Sequence, residues 1–309
     1  MRPLPYLGLL LGLSSAFSSA SPRQIVEPPE ILSVKTDLVT LPVTVVDRQG
    51  RFVTGLRQDD FVVYDNGEPQ AIQFFSSDDV PVTIGLVIDS SSSMRGRRED
   101  VTAAAAAFAA TSHPLGELFT VNFNEAVWPG LPPSVVFAEN RDQLYAALSA
   151  APARGMTALY DAVDRALDYL QLGTRDRKAL IVVSDGGDNA SSLTLDAVLE
   201  HARRTSAVIY SVTLFDPNDR DAKPRVLRKL ARETGGHAYR PRKTDEVMSS
   251  FAQIARELRS GYTIGFVPPE TPDSGFRSLR VVVDAGDRRQ LIARTRAGYY
   301  AEPSGRSVR

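Results

Sequence analysis

Cysteine is absent from this chain of 309 residues, and histidine occurs only three times. The lack of cysteine excludes disulfides, thiolate metal ligands, iron–sulfur clusters and a cysteine nucleophile. The three histidines stand singly, so a zinc site built from imidazoles has little material. An excess of charge of either sign is also missing, because 36 basic residues face 37 acidic ones. The composition therefore gives no electrostatic reason to bind nucleic acid or an anionic membrane.

Residues 1–20 have the pattern of a secretory signal peptide. An apolar stretch from Leu4 to Leu13 follows Arg2, and Ser18 and Ala20 suit a cleavage site. The stretch is shorter than the roughly 20 residues of a membrane-spanning helix. A buried N-terminal helix is the alternative, which two prolines and a serine cluster disfavour. No later apolar run is long enough to span a membrane, so we expect an exported protein of the periplasm or the extracellular space, without a transmembrane segment in the mature chain.

Hydrophobic periodicity divides the remaining chain into an α/β region between two β-rich flanks. Residues 21–31 are rich in proline and predict a linker. Alternating β-branched and aromatic residues over 32–78 predict three to five antiparallel strands. Residues 80–260 alternate between continuous apolar runs and amphipathic stretches, which is typical of strands and helices in turn. Residues 261–301 return to strand patterns, and 302–309 predict a disordered tail.

The predicted fold class is α/β, with a doubly wound, mostly parallel sheet of Rossmann-like architecture. Apolar strands alternating with helices favour a sheet that is covered by helices on both faces. Each β-rich flank is too small to bury a good core by itself. We hypothesise that the two flanks pair into one β-sandwich, into which the α/β domain is inserted.

Oxygen-bearing side chains stand where a ligand would bind an open α/β sheet, which is beyond the carboxyl ends of the strands. Asp89, Ser91 and Ser93 follow the apolar run VTIGLVI, Thr157 precedes a helix, and Asp185 follows the run LIVVS. Carboxylates and hydroxyls without His or Cys suit Mg²⁺, with Ca²⁺ or Mn²⁺ as alternatives, rather than zinc or copper. Hydroxyl ligands leave such an ion with much of its charge, so it should attract an anionic ligand.

The same residues resemble the metal-ion-dependent adhesion site of the von Willebrand factor A domain. The resemblance rests on the patterns Asp89-x-Ser91-x-Ser93, Thr157 in GMTALYDA, and Ser184-Asp185-Gly186, and it covers about residues 80–260. The flanks contain V-x-V-x-D-x-x-G, D-F-x-V-Y-D-N-G and G-Y-Y, and they resemble the exported bacterial VWFA-related (acidobacterial) family. Nearly the whole mature chain is thereby covered.

The resemblance implies a role for each of these residues. Ser91 and Ser93 would ligate the ion directly, and Thr157 would do so in the ligand-bound state. Asp89 and Asp185 would act largely through water and hold the hydroxyls by hydrogen bonds. The resemblance also implies that a partner protein supplies an Asp or Glu carboxylate to the ion. We therefore expect an adhesion-type protein-binding module.

Several alternatives stay open. Asp89 and Ser91 are also suited to cap a helix, although capping leaves Thr157 and Asp185 unexplained. A folded site without metal is another alternative. The alternative to an adhesion-type module is an envelope scaffold or assembly protein, in which the α/β domain is structural and the β flanks bind the partner. An enzyme is disfavoured, because the sequence has no second metal cluster, general base or phosphate-binding loop. Asp188 and Asn189 are expected to form turns or to support the ligands.

Overall fold

The two kinds of periodicity correspond to two kinds of secondary structure in the computed structural model, which describes residues 38–149, 153–214, 222–269, 275–286 and 290–301. The helices are α1 (Arg98–Thr111), α2 (Arg141–Ser149), α3 (Leu159–Leu170), α4 (Leu195–Arg204), α5 (Pro224–Thr234) and α6 (Thr244–Ser260). The strands are β1 (Val39–Val46), β2 (Phe61–Asp65), β3 (Glu68–Gln70), β4 (Ile72–Ser76), β5 (Val82–Asp89), β6 (Glu117–Phe123), β7 (Val127–Pro129), β8 (Arg177–Ser184), β9 (Val208–Thr213), β10 (Ala238–Tyr239), β11 (Tyr262–Phe266), β12 (Phe276–Val283), β13 (Ile292–Arg294) and β14 (Gly298–Tyr300). Short 3₁₀ turns at Gln58–Asp60 and Ser92–Arg97 precede β2 and α1.

A six-stranded sheet in the order β10-β9-β8-β5-β6-β7 forms the centre of the α/β region. All its pairings are parallel except that of β6 with β7. Helices α1, α2 and α6 pack on one face, and α3, α4 and α5 cover the other. All eight residues of β5 are buried, as expected of a strand with helices on both sides. The predicted doubly wound, mostly parallel sheet is confirmed.

Gly85 shows how tightly the centre of this sheet is packed. A Cβ atom at this position of β5 would lie 2.4 Å from the ring of Phe119 and 2.7 Å from the side chain of Leu180. Strand β5 therefore approaches its neighbours more closely than a larger residue allows. This packing fixes the position of the strand that ends at Asp89.

The two β-rich flanks pair with each other in two four-stranded sheets, ordered β13-β1-β11-β4 and β14-β12-β2-β3. Each sheet combines strands from before and after the α/β region, since β1 pairs with β11 and β2 pairs with β12. Residues of both sheets share one hydrophobic core, which includes Leu41, Val63 and Ile264. The flanks thus complete each other as we hypothesised, because neither has enough strands to bury this core by itself.

A buried ion pair joins the two flanks. Asp65 ends β2 with no exposed surface and accepts hydrogen bonds from Arg277 Nε at 2.9 Å and from the Tyr299 hydroxyl at 3.0 Å. Burial and the bond to Asp65 raise the pKa of Tyr299 to about 12, so this hydroxyl stays a donor. The charge of Asp65 is therefore compensated by residues from the opposite flank.

Some expectations lie outside the described residues, and one strand was not foreseen. The predicted signal peptide (1–20), linker (21–31) and tail (302–309) fall outside the described part of the chain, and the exact domain boundaries stay predictions.

Strand β7 was not predicted from the sequence, because three residues ending in proline give no readable period. Within the described ranges, no helix combines the length and apolar character that a membrane span requires.

Replacement of Asp65 by asparagine tests the pairing of the flanks. We expect Asp65→Asn to lower the free energy of unfolding by about 3 kcal/mol, because the largely buried guanidinium of Arg277 loses its counter-charge. Urea denaturation of the purified protein measures this change. The exposed Asp59, changed to asparagine, is the matched control and should have little effect. Equal stability losses in the two variants would contradict the structural role of the ion pair.

Candidate metal centre

The candidate site lies where two neighbouring parallel strands end. Asp89 is the last residue of β5, and Asp185 directly follows β8. These strands pair in parallel up to Ile88 and Val183, so the two loops that follow them lie side by side. The sheet topology therefore brings together two carboxylates that stand almost a hundred positions apart in the sequence.

Asp89 is a buried carboxylate with both oxygens engaged. It is 1% exposed, and its Oδ1 accepts a hydrogen bond from the backbone N–H of Ser91 at 2.8 Å. Its Oδ2 accepts from the hydroxyl of Ser184 at 2.7 Å. Burial raises the pKa of Asp89 to about 6 despite these hydrogen bonds, and the charge of Asp185 adds to the rise. A charged Asp89 is therefore costly unless a positive charge compensates it.

The hydroxyls of Ser91 and Ser93 connect this carboxylate region to Asp185. The two Oγ atoms lie 3.1 Å apart, and Ser93 Oγ donates to Asp185 Oδ2 at 2.6 Å. Asp185 Oδ1 accepts from the backbone N–H of Gly187 at 2.8 Å, which orients the carboxylate. Ser93 is exposed while Ser91 and Asp185 are buried, so the cluster opens to solvent on one side. The structure thus brings Asp89, Ser91, Ser93 and Asp185 together.

Thr157 is held beside this cluster through its backbone. Its N–H donates to Asn189 Oδ1 at 2.8 Å, and its C=O accepts from the N–H of Asn189 at 3.0 Å. Asn189 belongs to the same loop as Asp185. The segment before Thr157 also bonds to the first loop, since Ser92 N–H donates to the carbonyl of Gly155 at 3.3 Å. Backbone hydrogen bonds therefore anchor Thr157 and the segment before it to both carboxylate-bearing loops.

Polar side chains outside the five predicted ligands hold these loops in place. Asn189 supports Thr157, and Asp188 Oδ1 accepts from the hydroxyl of Ser191 at 2.5 Å, which confirms supporting roles for this turn. Asp161 on α3 accepts from the backbone N–H groups of Ser192 and Leu193 at 2.9 Å each. Such side-chain bonds to turn backbones are typical of Asp, Asn and Ser, but the sequence alone does not identify their distant partners.

Gly155 and Glu125 shape the loop that carries Thr157. Gly155 has a φ of +81°, in the left-handed region, and a Cβ there would collide with the carboxylate of Glu125. Glu125 Oε2 accepts from the N–H of Met156 at 3.0 Å. The loop conformation thus depends on a glycine and on a carboxylate from the turn after β6. The sequence analysis did not single out Glu125.

Helix capping does not explain the cluster. Ser91 stands at the start of the 3₁₀ turn but its side chain makes no capping hydrogen bond, and neither does that of Arg97 before α1. Arg98, the first residue of α1, supports the same loop. Its guanidinium donates to Ser90 Oγ at 2.9 Å and to the carbonyl of Leu148 at 2.8 Å. Ser91, Ser93 and Arg98 are therefore engaged in the cluster and its support rather than in helix capping.

The donor set fits a hard divalent cation. All five sequence-predicted residues offer oxygen, and the described residues contain no group of three or more His, Cys, Asp or Glu that would hold a metal by itself. A cation here would therefore need the serine and threonine hydroxyls together with the two carboxylates. The cation would also offset the cost of burying two carboxylates at neighbouring strand ends, where Asp89 is 1% exposed and Asp185 is 4% exposed.

Comparisons with known proteins agree with this architecture. A sequence model of the von Willebrand factor type A domain matches residues 83–240, slightly more than half of the chain. A von Willebrand factor type A structure from Catenulispora acidiphila has a TM-score of 0.50 and 15% identity, and the match covers 82% of this chain and 72% of that chain. The vWF domain of the type V pili tip protein Mfa5 from Porphyromonas gingivalis has a TM-score of 0.49 and 13% identity over 58% of this chain and 95% of its own. No curated protein matches the chain in sequence. The structural likeness to the Catenulispora protein shows the fold alone.

The raised pKa of Asp89 predicts a pH-dependent cost in the metal-free protein. The pKa is about 6 in the folded state against an ordinary value of 3.8, so ionisation destabilises the fold as pH rises through this interval. In the presence of a chelator, Asp89→Asn should gain up to about 3 kcal/mol of stability relative to the wild type between about pH 4 and about pH 7. Urea denaturation at a series of pH values measures the difference. A difference that does not change with pH would show that Asp89 ionises without cost.

Proposed function

The chain belongs to the von Willebrand factor type A domain family, and we propose that it is an exported, metal-dependent protein-binding module of the adhesion type. The observation that carries this proposal is the connected set of Asp89, Ser91, Ser93 and Asp185 at the ends of β5 and β8. The order and the spacing of these residues are those of the metal-ion-dependent adhesion site that the sequence resembles. A partner protein would bind at this edge of the sheet.

Mg²⁺ is the proposed ion, with Ca²⁺ or Mn²⁺ as alternatives. Ser91 and Ser93 would hold it through their hydroxyls, and Thr157 would join them when a partner is bound. Asp89 and Asp185 would act largely through water and by orienting the hydroxyls, as Asp185 already does with Ser93. When bound, the ion supplies a positive charge that attracts an anionic group.

The partner is proposed to present an Asp or Glu carboxylate to the ion. Hydroxyl ligands do not neutralise a divalent cation, so a carboxylate from outside completes its ligand set. The exposed side chain of Ser93 and the 54% exposed Met156 lie on the loops that border the site, which leaves a route for such a group. The surrounding surface would then supply specificity.

Export to the periplasm or beyond is part of the proposal and depends on the signal-peptide pattern of residues 1–20. A catalytic role is not proposed. Two of the three histidines have other roles, since His113 Nδ1 accepts from the N–H of Leu115 at 3.1 Å and His201 contacts Asp164 at 2.7 Å. Neither residue is among those of the candidate metal centre.

An envelope scaffold that binds through its β flanks is the second candidate. Its specific support is an apolar patch on the sheet that contains β11 and β4. Leu38, Phe74 and Val267 are 38%, 44% and 40% exposed there, and Gly265 lies against both Leu38 and Phe74. A partner that binds this patch would not require a metal ion.

Calorimetric titration with MgCl₂ tests the proposed metal site. The wild-type protein should bind one ion, and the double variant Ser91→Ala, Ser93→Ala should lose at least about tenfold in affinity because two direct ligands are removed. Ser92→Ala is the matched control, since Ser92 is an exposed neighbour outside the motif. The proposal fails if the wild type takes up no divalent ion, or if the control loses as much affinity as the double variant.

Pull-down of partners from envelope extract tests the proposed binding activity. We expect a partner that the wild type and Ser92→Ala retain in Mg²⁺, and that is released by EDTA or by the Ser91→Ala, Ser93→Ala double variant. Mass spectrometry identifies the partner. Partners that stay bound in EDTA and are lost on Phe74→Ser would instead support the scaffold function of the β flanks.

A further inference from the structure

A cleft of about 430 Å³ lies between the α/β region and the sandwich. The last turns of α5 and the start of β10 form one wall, and β12 and β13 form the other. The cleft shares no residue with the candidate metal centre, which lies at the carboxyl ends of β5 and β8. Its volume is within the range of about 300–1,000 Å³ that is typical of ligand sites.

Among the described residues, basic side chains line this cleft and acidic ones do not. Arg228, Arg232, Arg280 and Arg294 are among the lining residues, and none of those that the structure describes there is Asp or Glu. The whole chain has a net charge of −1, so this concentration of positive charge does not follow from the overall composition. A cleft of this kind attracts anionic groups.

Two of the four guanidinium groups have no carboxylate partner within the described residues. Arg294 pairs with the buried Glu257 at 2.9 Å. Arg232 lies 3.3 Å from Glu233, which Arg203 also engages at 2.9 Å.

The remaining two guanidinium groups, of Arg228 and Arg280, belong to opposite walls of the cleft. Arg228 is exposed on α5 and makes no ion pair in the described part of the chain. Arg280 lies over the ring of Tyr64 at 4.2 Å and pairs with no carboxylate among the described residues. An arginine fork that is not already paired is well suited to a carboxylate.

His237 also lines the cleft. Partial burial and the charge of Arg294 lower its pKa to about 4, so the ring is neutral at neutral pH. A neutral imidazole offers one donor and one acceptor. The histidine therefore adds a polar contact to the cleft without adding charge.

Strand edges give the cleft a second property. β10 is the outer strand of the six-stranded sheet, and β13 is the outer strand of its own sheet. The carbonyl of His237 accepts from Ser211 N–H at 3.0 Å and so faces β9. Because successive residues of a strand face opposite sides, the N–H and C=O of Ala238 point away from β9. No further strand of the described residues pairs with this side of β10, so an extended chain can add there.

We propose that this cleft is a second binding site, which takes an acidic peptide segment in extended conformation. Carboxylates of the peptide bind Arg228 and Arg280, and its backbone pairs with the outer edge of β10. The small side chains of Ala238 and Ala293 leave room for the added strand. This binding needs no metal ion, so it is independent of the proposed metal-dependent site.

Fluorescence anisotropy in EDTA tests the site on the mature chain. The probe is a fluorescein-labelled peptide of alternating Glu and Thr, about ten residues long. The wild type should bind it saturably, and Arg228→Glu with Arg280→Glu should weaken binding at least about tenfold. Arg225→Glu is the matched control, because Arg225 is exposed on the same helix as Arg228 but does not line the cleft. Thermal unfolding checks that each variant is folded.

Two further probes separate the elements of the proposal. The matched peptide of alternating Gln and Thr should bind at least about tenfold more weakly, since it lacks charge. Two Glu-Thr peptides carry N-methyl groups at every second residue, in opposite registers. The peptide whose methyl groups replace the N–H groups that face β10 should lose binding.

Four outcomes would overturn the proposal. The first is that the wild type does not bind the Glu-Thr peptide saturably, and the second is that Arg225→Glu loses as much affinity as the double variant. The third is that both N-methylated peptides bind fully. The fourth is that the cleft arginines bind tripolyphosphate in place of the peptide.

Discussion

Two buried carboxylates at neighbouring strand ends are the constraint on which the candidate site depends. Asp89 and Asp185 are almost fully removed from solvent, and their negative charges repel each other. Such a pair is tolerated when hydrogen bonds and a compensating positive charge are provided. The serine hydroxyls and the loop N–H groups provide the hydrogen bonds. A divalent cation would provide the positive charge, and it would be held by the same hydroxyls that now connect the carboxylates.

The rest of the molecule keeps these two strand ends in place. Packing at Gly85 fixes β5 against β6 and β8, and Asp161 fixes the loop after β8 against α3. The sandwich is joined to the α/β region by Glu257 of α6, which has no exposed side-chain surface and pairs with Arg294 of β13. Burial raises the pKa of Glu257, and Arg294 opposes this rise. The inserted α/β region and the flanks therefore share a buried charge pair.

Much of the fold could be predicted from hydrophobic pattern, because continuous apolar runs and strict alternation correspond to different sheets. The parallel strands β5 and β8, the helices between them and the mixed flanks follow from that contrast. Strand β7 could not be predicted, since its pairing with β6 depends on a tertiary contact and not on a period. The order of the flank strands in the two sheets also depends on long-range pairing that no local pattern encodes.

The candidate site was predictable in its residue types but not in its support. Asp89, Ser91, Ser93 and Asp185 follow apolar strands directly, and parallel topology brings such positions together. The contact of Asn189 with Thr157 and that of Glu125 with Met156 join segments about 30 residues apart, which no spacing rule predicts. The basic cleft was missed for the same reason, since its arginines come from α5, β12 and β13.

Diffraction from crystals soaked in Mn²⁺, recorded at the manganese absorption edge, tests the central claim most directly. The account predicts one anomalous peak within bonding distance of the hydroxyls of Ser91 and Ser93, with Asp89 and Asp185 around it. A map with no peak at these strand ends, or with manganese bound only elsewhere, would contradict it.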